Sequence, residues 1–516
     1  MQTVYKIHPG IGIARVGPSR SGFYIAGETM GADNIEIDGA GNEVPFAGYK
    51  DASMLMRRQA VRFRVFEYER DETTGQEVLL REITAADAQI NWSVRLAATK
   101  AAQFQKDEID FEGEVTLIQG STPRNEDVPI DSLRTEVALA VSGANFRYTK
   151  GAEPQGAICN KPIYLGEART DAEGRLIILP GFGDAFSWPD PIGQERALVD
   201  YYDNPGWYDD IADGAVDATV QIGAAAPVTA EGAWVITAPP DFAPNTLAVS
   251  TLYDIALQAI NIQLPSPLTF TQDIKPLIDR AADLAQTNEN QDRWWRVHTL
   301  LLMPGDISDN GNSDAARKRR GDIYDAVKAA CDGMEKYSLT SRQKTILNRY
   351  RSGDFQPAAD TGRQPLTLPE ELDRAALERC VGGGFLPGIE AGHSLRLPDV
   401  FSGLCRLTRE QFTDWDGTRK NLLPGLLSGR MACPWQADFM QCQGAWWPSQ
   451  RPDIAGRTDV DKGPLWARKL VVGKNPEAPQ SMLNMVNYFG QLGVVITDQN
   501  GTSVEVGRDP QLDLLP

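Results

Sequence analysis

The hydrophobic pattern of this chain changes period part-way along its length. Before about residue 260 apolar residues recur at every second position, the mark of half-buried strands. Ala60-Val61-Arg62-Phe63-Arg64-Val65-Phe66-Glu67-Tyr68 alternates in this way, as does Ala88-Gln89-Ile90-Asn91-Trp92-Ser93-Val94. Ala233-Trp234-Val235-Ile236-Thr237 is a short apolar, β-branched run that also suits a strand. Turn signals such as Asp38-Gly39, Gly41-Asn42, Glu173-Gly174 and Pro239-Pro240 lie between such runs. From about Thr251 the spacing becomes helical, over Thr271 to Ala285, Ala315 to Met334, Leu368 to Cys380 and Ser481 to Leu492. The third of these opens with Pro369, Glu370 and Glu371, a favourable first turn, and the last meets Gly493 as a stop. The pattern predicts an α+β fold. A β-rich, sandwich-like and irregular N-terminal domain covers residues 1–265, and a mainly helical domain over 266–516 shares its core.

With 516 residues, 42% of them hydrophobic, the chain can bury a sizeable core, which excludes wholesale disorder. Its 51 Lys and Arg against 70 Asp and Glu leave a formal charge of −19. That balance argues against a nucleic-acid footprint and against general adhesion to an anionic membrane. No apolar run reaches the ~18 residues of a transmembrane helix. Met1 to His8 lacks the charged-then-apolar pattern of a secretory leader. The expectation is a cytoplasmic protein, or one exported without a recognisable signal peptide. The six cysteines include no Cys-x-x-Cys, and with three histidines a metal site is not expected.

Gly10-Ile11-Gly12 and Gly181-Phe182-Gly183 lack the third glycine of a dinucleotide fingerprint, so neither reads as a phosphate loop. Gly382-Gly383-Gly384 follows a helix and reads as its C-cap. Asp209, Asp210 and Asp213 read as a solvated acidic turn. The unusual stretch is 414–466, which holds five of the 11 tryptophans. Within it, Pro434 suits the first position of a helix, which would place Asp438 and Cys442 one turn apart on one face. A carboxylate beside a thiol raises the thiol pKa and is a poor thiolate activator. The pairing makes more sense where the sulfur is destined for another bond and the acid handles protons. Cys and Trp are also core-forming residues, so this pattern equally fits a purely structural cluster.

Cys433-Pro434-Trp435-Gln436-Ala437-Asp438 through Cys442, followed by Trp446-Trp447-Pro448-Ser449-Gln450-Arg451-Pro452-Asp453, resembles the lysine ε-oxidase/glycine oxidase family. So do His8-Pro9-Gly10-Ile11-Gly12, Leu165-Gly166-Glu167, Gly206-Trp207-Tyr208-Asp209-Asp210 and Gly383-Gly384-Phe385-Leu386-Pro387-Gly388. The resemblance implies a cysteine tryptophylquinone cofactor, made by cross-linking Cys442 to a downstream tryptophan. Trp466 is the best counterpart, while Trp446 and Trp447 stand four and five residues from the cysteine. The interval of 24 residues from Cys442 to Trp466 is shorter than the family pattern. Asp438 matches the acid needed for cofactor formation, and His393 and Tyr208 are candidates for the substrate pocket. The implied activity is oxidative deamination of a primary amine of an amino acid or peptide-bound amine through a quinone Schiff base. Dioxygen is consumed, and ammonia and hydrogen peroxide are released. The implied partners are the amine, dioxygen and a separately encoded flavoprotein maturation enzyme, and a homo-oligomer is compatible with the resemblance. The alternative is a quinone-free relative with a different redox activity or none.

Overall fold

The computed structural model describes residues 1–111, 114–146, 156–188, 196–200, 202–286, 291–332, 339–357, 363–382, 394–414, 416–438, 479–499, 501 and 503–511. The fold is α+β, with strands through the first half, helices between Leu252 and Glu378, and short hairpins and helical segments from Phe401 onward among the described residues. The expected strands at 60–68, 88–94 and 233–237 lie within Arg58–Arg70, Gln89–Ala98 and Ala233–Ala238.

A 14-stranded sheet organises the chain. Its hub is Arg58–Arg70, whose 13 residues are long enough to pair with several shorter strands along their length. Gln2–His8 and Glu77–Ile83 run antiparallel to its C-terminal part, while Phe23–Ile25 runs parallel to its start. Ile11–Arg15 lies between this hub and Ala233–Ala238, and is parallel to the latter.

These two central strands are buried on both faces, and their side chains alternate between two apolar clusters. Ile11, Ile13, Trp234 and Ile236 join one cluster, which contains the packed faces of the helices Lys275–Asp283, Asp314–Asp332 and Ser341–Ser352. Ala14, Ala233 and Val235 join the other, which is built from Trp92, Val94, Leu139, Ile178 and Val216. The sheet is thus a wall between a helical and an all-β core. The helical cluster crosses residue 265, since it contains Val249 and Leu252 as well as Leu268 and Leu277.

The helices follow the predicted spacing with local changes at their ends. Leu368–Glu378 opens with Thr367 and Glu370 in a capping box. The late helix spans Pro479–Tyr488 and tightens into a 3₁₀ turn over Phe489–Gln491. His8 clasps the two halves together. Its Nδ1 lies 3.0 Å from Asp373 Oδ2, and its Nε2 3.1 Å from the Tyr68 hydroxyl. The Gly10 N–H donates to the same Asp373 carboxylate at 2.6 Å.

Both G-x-G motifs serve close packing. A Cβ at Gly10 would stand 2.3 Å from the Cys405 carbonyl oxygen, and one at Gly12 would stand 2.4 Å from Phe63 Cζ. Gly12→Val therefore forces two buried side chains apart, and we expect a loss of ~1–3 kcal/mol. Urea unfolding checks this; a midpoint equal to that of the native chain contradicts the packing described.

Candidate active site

The turn that precedes Cys442 is built into the β half by buried polar bonds. Cys433 adds to the loop at Tyr202–Asn204: its N–H donates to the Tyr202 carbonyl at 2.9 Å, and its carbonyl accepts from Asn204 Nδ2 at 3.1 Å. Its thiol reaches the Trp207 carbonyl at 3.2 Å, and burial pushes that thiol up to about 12. Trp435–Asp438 forms a 3₁₀ turn. The sequence pattern predicts a longer α-helix from Pro434. The Ala437 N–H closes onto the Pro434 carbonyl at 2.9 Å, the 3₁₀ spacing, and the Trp435 N–H, which has no acceptor within the turn, donates to Asp209 Oδ2 at 2.8 Å; residues 439–442 of the predicted helix lie outside the described residues.

Asp209 Oδ2 also accepts from Lys100 Nζ at 2.8 Å, while Oδ1 accepts from the Ile211 N–H at 3.1 Å. Lys100 donates in turn to the Ala432 carbonyl at 2.8 Å. Lys100 and Asp209 are each 2% exposed, so this pair lies out of water and both ions have several polar partners. Behind them Arg124 pairs with Asp203 and donates to the Lys100 carbonyl at 2.6 Å.

The Gly181-Phe182-Gly183 loop supports the turn from the other side. The Gly183 carbonyl accepts from Trp435 Nε1 and Gln436 Nε2, both at 3.1 Å. The backbone of Gly183 is left-handed (φ +85°), and a Cβ there would stand 2.6 Å from Phe489 Cζ. Phe489 meets the Trp435 ring edge-on with centroids 4.8 Å apart. The end of the late helix thus closes the far side of the turn.

Three carboxyl groups gather here. The sequence pattern predicts a solvated acidic turn at Asp209, Asp210 and Asp213, yet all three are buried. Asp210 Oδ2 accepts the N–H groups of Gly183 at 2.9 Å and Asp184 at 3.2 Å. Its Oδ1 has no hydrogen-bond partner among the described residues. Burial first, and then the negative charges of Asp184 and Asp209, raise the Asp210 carboxyl well above the usual carboxylate range. Asp213 accepts from Ser428 N and Oγ and from Trp234 Nε1, but burial outweighs these bonds and lifts it to about 6. Among the described residues no cluster of His, Cys, Asp and Glu is arranged to hold a metal ion.

Comparison with known proteins places this arrangement. The family model described as "L-Lysine epsilon oxidase N-terminal" matches residues 8–237, and "L-lysine epsilon oxidase C-terminal domain" matches residues 320–465. The chain belongs to the L-lysine epsilon-oxidase family. It is 24% identical to the L-lysine 6-oxidase of Marinomonas mediterranea over 548 residues, covering 85% of this chain and 71% of that relative. The fold superposes on the crystal structure of the L-Lys epsilon-oxidase from Marinomonas mediterranea with a TM-score of 0.71 at 21% identity, covering 99% of this chain and 95% of that one. A second structure of that enzyme, its Schiff base intermediate with L-Lys, gives 0.72 at 21% identity with the same coverage.

Two segments singled out in the sequence, 206–213 and 433–438, therefore meet as one buried assembly within this family fold. Cys442, Trp466 and His393 lie outside the described residues, and so does the side chain of Asp438, whose backbone ends the 3₁₀ turn. Tyr208 is buried, but strand alternation turns it away from Trp207 and Cys433. Its ring lies in the β-side cluster beside Phe186 and Trp188, with centroids 5.6 and 6.1 Å apart. Its hydroxyl has no hydrogen-bond partner among the described residues. Sequence reasoning missed Lys100, Asp184 and the supporting role of Gly183. One available signal was the apolar company of the acids: Trp207-Tyr208 precedes Asp209-Asp210, and Ile211-Ala212 follows, a pattern that belongs in a core.

Two measurements test this geometry. Lys100→Met leaves Asp209 buried without its cation and should cost ~3–5 kcal/mol in urea unfolding, with partial recovery in Lys100→Met/Asp209→Asn. No loss in the single variant contradicts the buried pair. The second concerns pH. The folded-state pKa of Asp210 is raised above the unfolded value of ~3.9, so its contribution is full below that value and is lost as pH rises through the folded pKa. Asp210→Asn mimics the protonated acid and should flatten the decline in stability above about pH 4. An undiminished slope contradicts the assignment.

Proposed function

We propose that the protein oxidatively deaminates a primary amine of an amino acid, or a peptide-bound amine, using a cysteine tryptophylquinone derived from Cys442 and Trp466. One amine, one dioxygen and one water give a carbonyl product, ammonia and hydrogen peroxide. The observation that carries this reading is the fixed turn at Trp435–Asp438, with Trp435, Gln436 and Ala437 buried, on a fold of the L-lysine epsilon-oxidase family. The named activity of the relatives, oxidation of L-lysine at its ε-amine, supports it.

The residues present fit such a group. Asp210 Oδ1, Gln436 Oε1 and Trp207 Nε1 are buried polar atoms without a partner among the described residues, and all belong to the segments that meet at this turn. Cys442 and Trp466 would hold the cofactor, which supplies an electrophilic carbonyl able to accept two electrons, a capacity standard side chains lack. Asp438 is assigned proton transfer during cofactor formation. Asp210 is assigned as a second proton holder, because its buried environment favours the neutral acid. Asp209 and Gly183 orient the turn through Trp435. His393 is assigned to the substrate pocket, and Tyr208 to its β-side wall, where its hydroxyl has no hydrogen-bond partner among the described residues. Maturation would require a separately encoded flavoprotein.

Amine-dependent peroxide formation tests the proposal in full-length protein co-produced with its flavoprotein maturation enzyme. L-Lysine, glycine and a lysine-containing peptide are the first amines to try. We expect turnover with at least one of them. Cys442→Ser and Trp466→Phe should fall to background, and Asp438→Ala should accumulate unprocessed chain. Full activity in either of the first two variants refutes the cofactor assignment. Unmodified Cys442 and Trp466 with no peroxide from any amine would indicate a quinone-free relative.

A further inference from the structure

A cavity of about 700 Å³ opens away from this turn, between the short strands Phe23–Ile25, Ile35–Ile37 and Glu43–Pro45 and the loop at Asp241. That volume is within the range of small-molecule sites. One wall is aromatic: the Tyr24, Phe46 and Tyr49 rings contact one another with centroids 4.8 to 5.5 Å apart. The Tyr49 hydroxyl is fixed by Asn34 Nδ2 at 3.1 Å.

Three acids and one base line the cavity; Asp33 is exposed, and Asp241 and Arg379 do not neutralise each other. Asp241 Oδ1 accepts the Ala243 N–H at 3.0 Å, and Oδ2 has no partner among the described residues. Among those residues the Arg379 guanidinium reaches only the Ala32 carbonyl, at a long 3.5 Å. Among the described residues neither forms an ion pair, although both line the cavity; the Asp241 carboxylate feels first the field of buried Arg15 and then that of Arg379, and Arg379 feels that of Asp241. Burial raises the Asp241 carboxyl and lowers the Arg379 guanidinium, so each charge is held at a desolvation cost. Glu43 differs, because it pairs with Arg62 at 2.7 Å.

A simple cation would satisfy Asp241 and repel Arg379, and a simple anion would do the reverse. A ligand carrying both charges on neighbouring atoms satisfies both. We infer that this cavity binds a free α-amino acid as its zwitterion, with its ammonium on Asp241, its carboxylate on Arg379 and its side chain against the Tyr24, Phe46 and Tyr49 wall. Carboxylate binding by guanidinium is a strong, charge-assisted contact, and the aromatic wall favours an apolar or aromatic side chain. The site shares no residue with the turn at Trp435–Asp438, so it does not depend on the quinone.

The test is calorimetric titration of the full chain, first treated with phenylhydrazine so that no quinone carbonyl contributes. The probes are L-phenylalanine, phenethylamine, which lacks the carboxylate, and 3-phenylpropionate, which lacks the amine. We expect saturable 1:1 binding of L-phenylalanine and at least tenfold weaker binding of the other two. Asp241→Asn and Arg379→Gln should each weaken L-phenylalanine at least tenfold, with melting temperature as the control for folding. Tyr49→Leu keeps both charges and should weaken it about fivefold, a second reading if a charge variant fails to fold. The inference is overturned by no saturable binding up to about 10 mM, by either truncated probe binding as tightly as L-phenylalanine, or by affinity unchanged in the variants.

Discussion

One buried ammonium ties the candidate active site to the rest of the molecule. Lys100 stands between Asp209, on one side of the β half, and the Ala432 carbonyl, which leads into the Cys433 turn. Removing two ions from water is unfavourable unless each finds full coordination. Here the carboxylate takes Lys100 Nζ and the Trp435 and Ile211 N–H groups, and the cation takes both the acid and the carbonyl. The arrangement is satisfied only when the strand Trp207–Asp209, the turn at 100–102 and the segment 432–435 are assembled together. It therefore acts as a specification of geometry more than as a source of net stability.

The sheet makes that specification possible. Ile11–Arg15 and Ala233–Ala238 are buried on both faces, so the helical core and the β core are built on a common wall. Side chains that alternate along Trp207–Asp209 inherit this division: Trp207 faces the helical cluster with Cys433 and Trp435, and Tyr208 faces the β cluster. The helical half completes the enclosure, with Phe489 packed on Trp435 and on the loop at Gly183. Residues 206–210 and 433–438, two of the segments whose sequence resembles the oxidase family, are joined where Asp209 takes the Trp435 N–H.

Much of the fold was legible because it is local. Period-two alternation located Arg58–Arg70 and Gln89–Ala98, and the Pro369-Glu370-Glu371 opening located Leu368–Glu378. The site was legible in its segments and not in its bonds. Lys100 and Asp209 are 109 residues apart, and nothing in local spacing announces that pairing. The acids at 209, 210 and 213 read as solvated because composition ranks Asp as a surface residue, whereas partners supplied by remote segments allow burial. The capping of the turn that follows Pro434 was hidden for a similar reason: Asp209, a tertiary partner, takes the Trp435 N–H. The meeting of Asp241 and Arg379 was equally invisible, since one lies on a loop and the other caps the C-terminus of Leu368–Glu378, 138 residues on.

The functional account depends on whether the sulfur beyond the fixed turn is joined to an oxidised indole. Peptide mass spectrometry of mature protein, purified from cells that also make the flavoprotein, reads this directly. The account predicts that the peptides bearing positions 442 and 466 migrate as one covalent species that resists thiol reductants, with hydrogens lost at the thioether and oxygen gained on the ring. Recovery of two separate, unmodified peptides from such protein would contradict it.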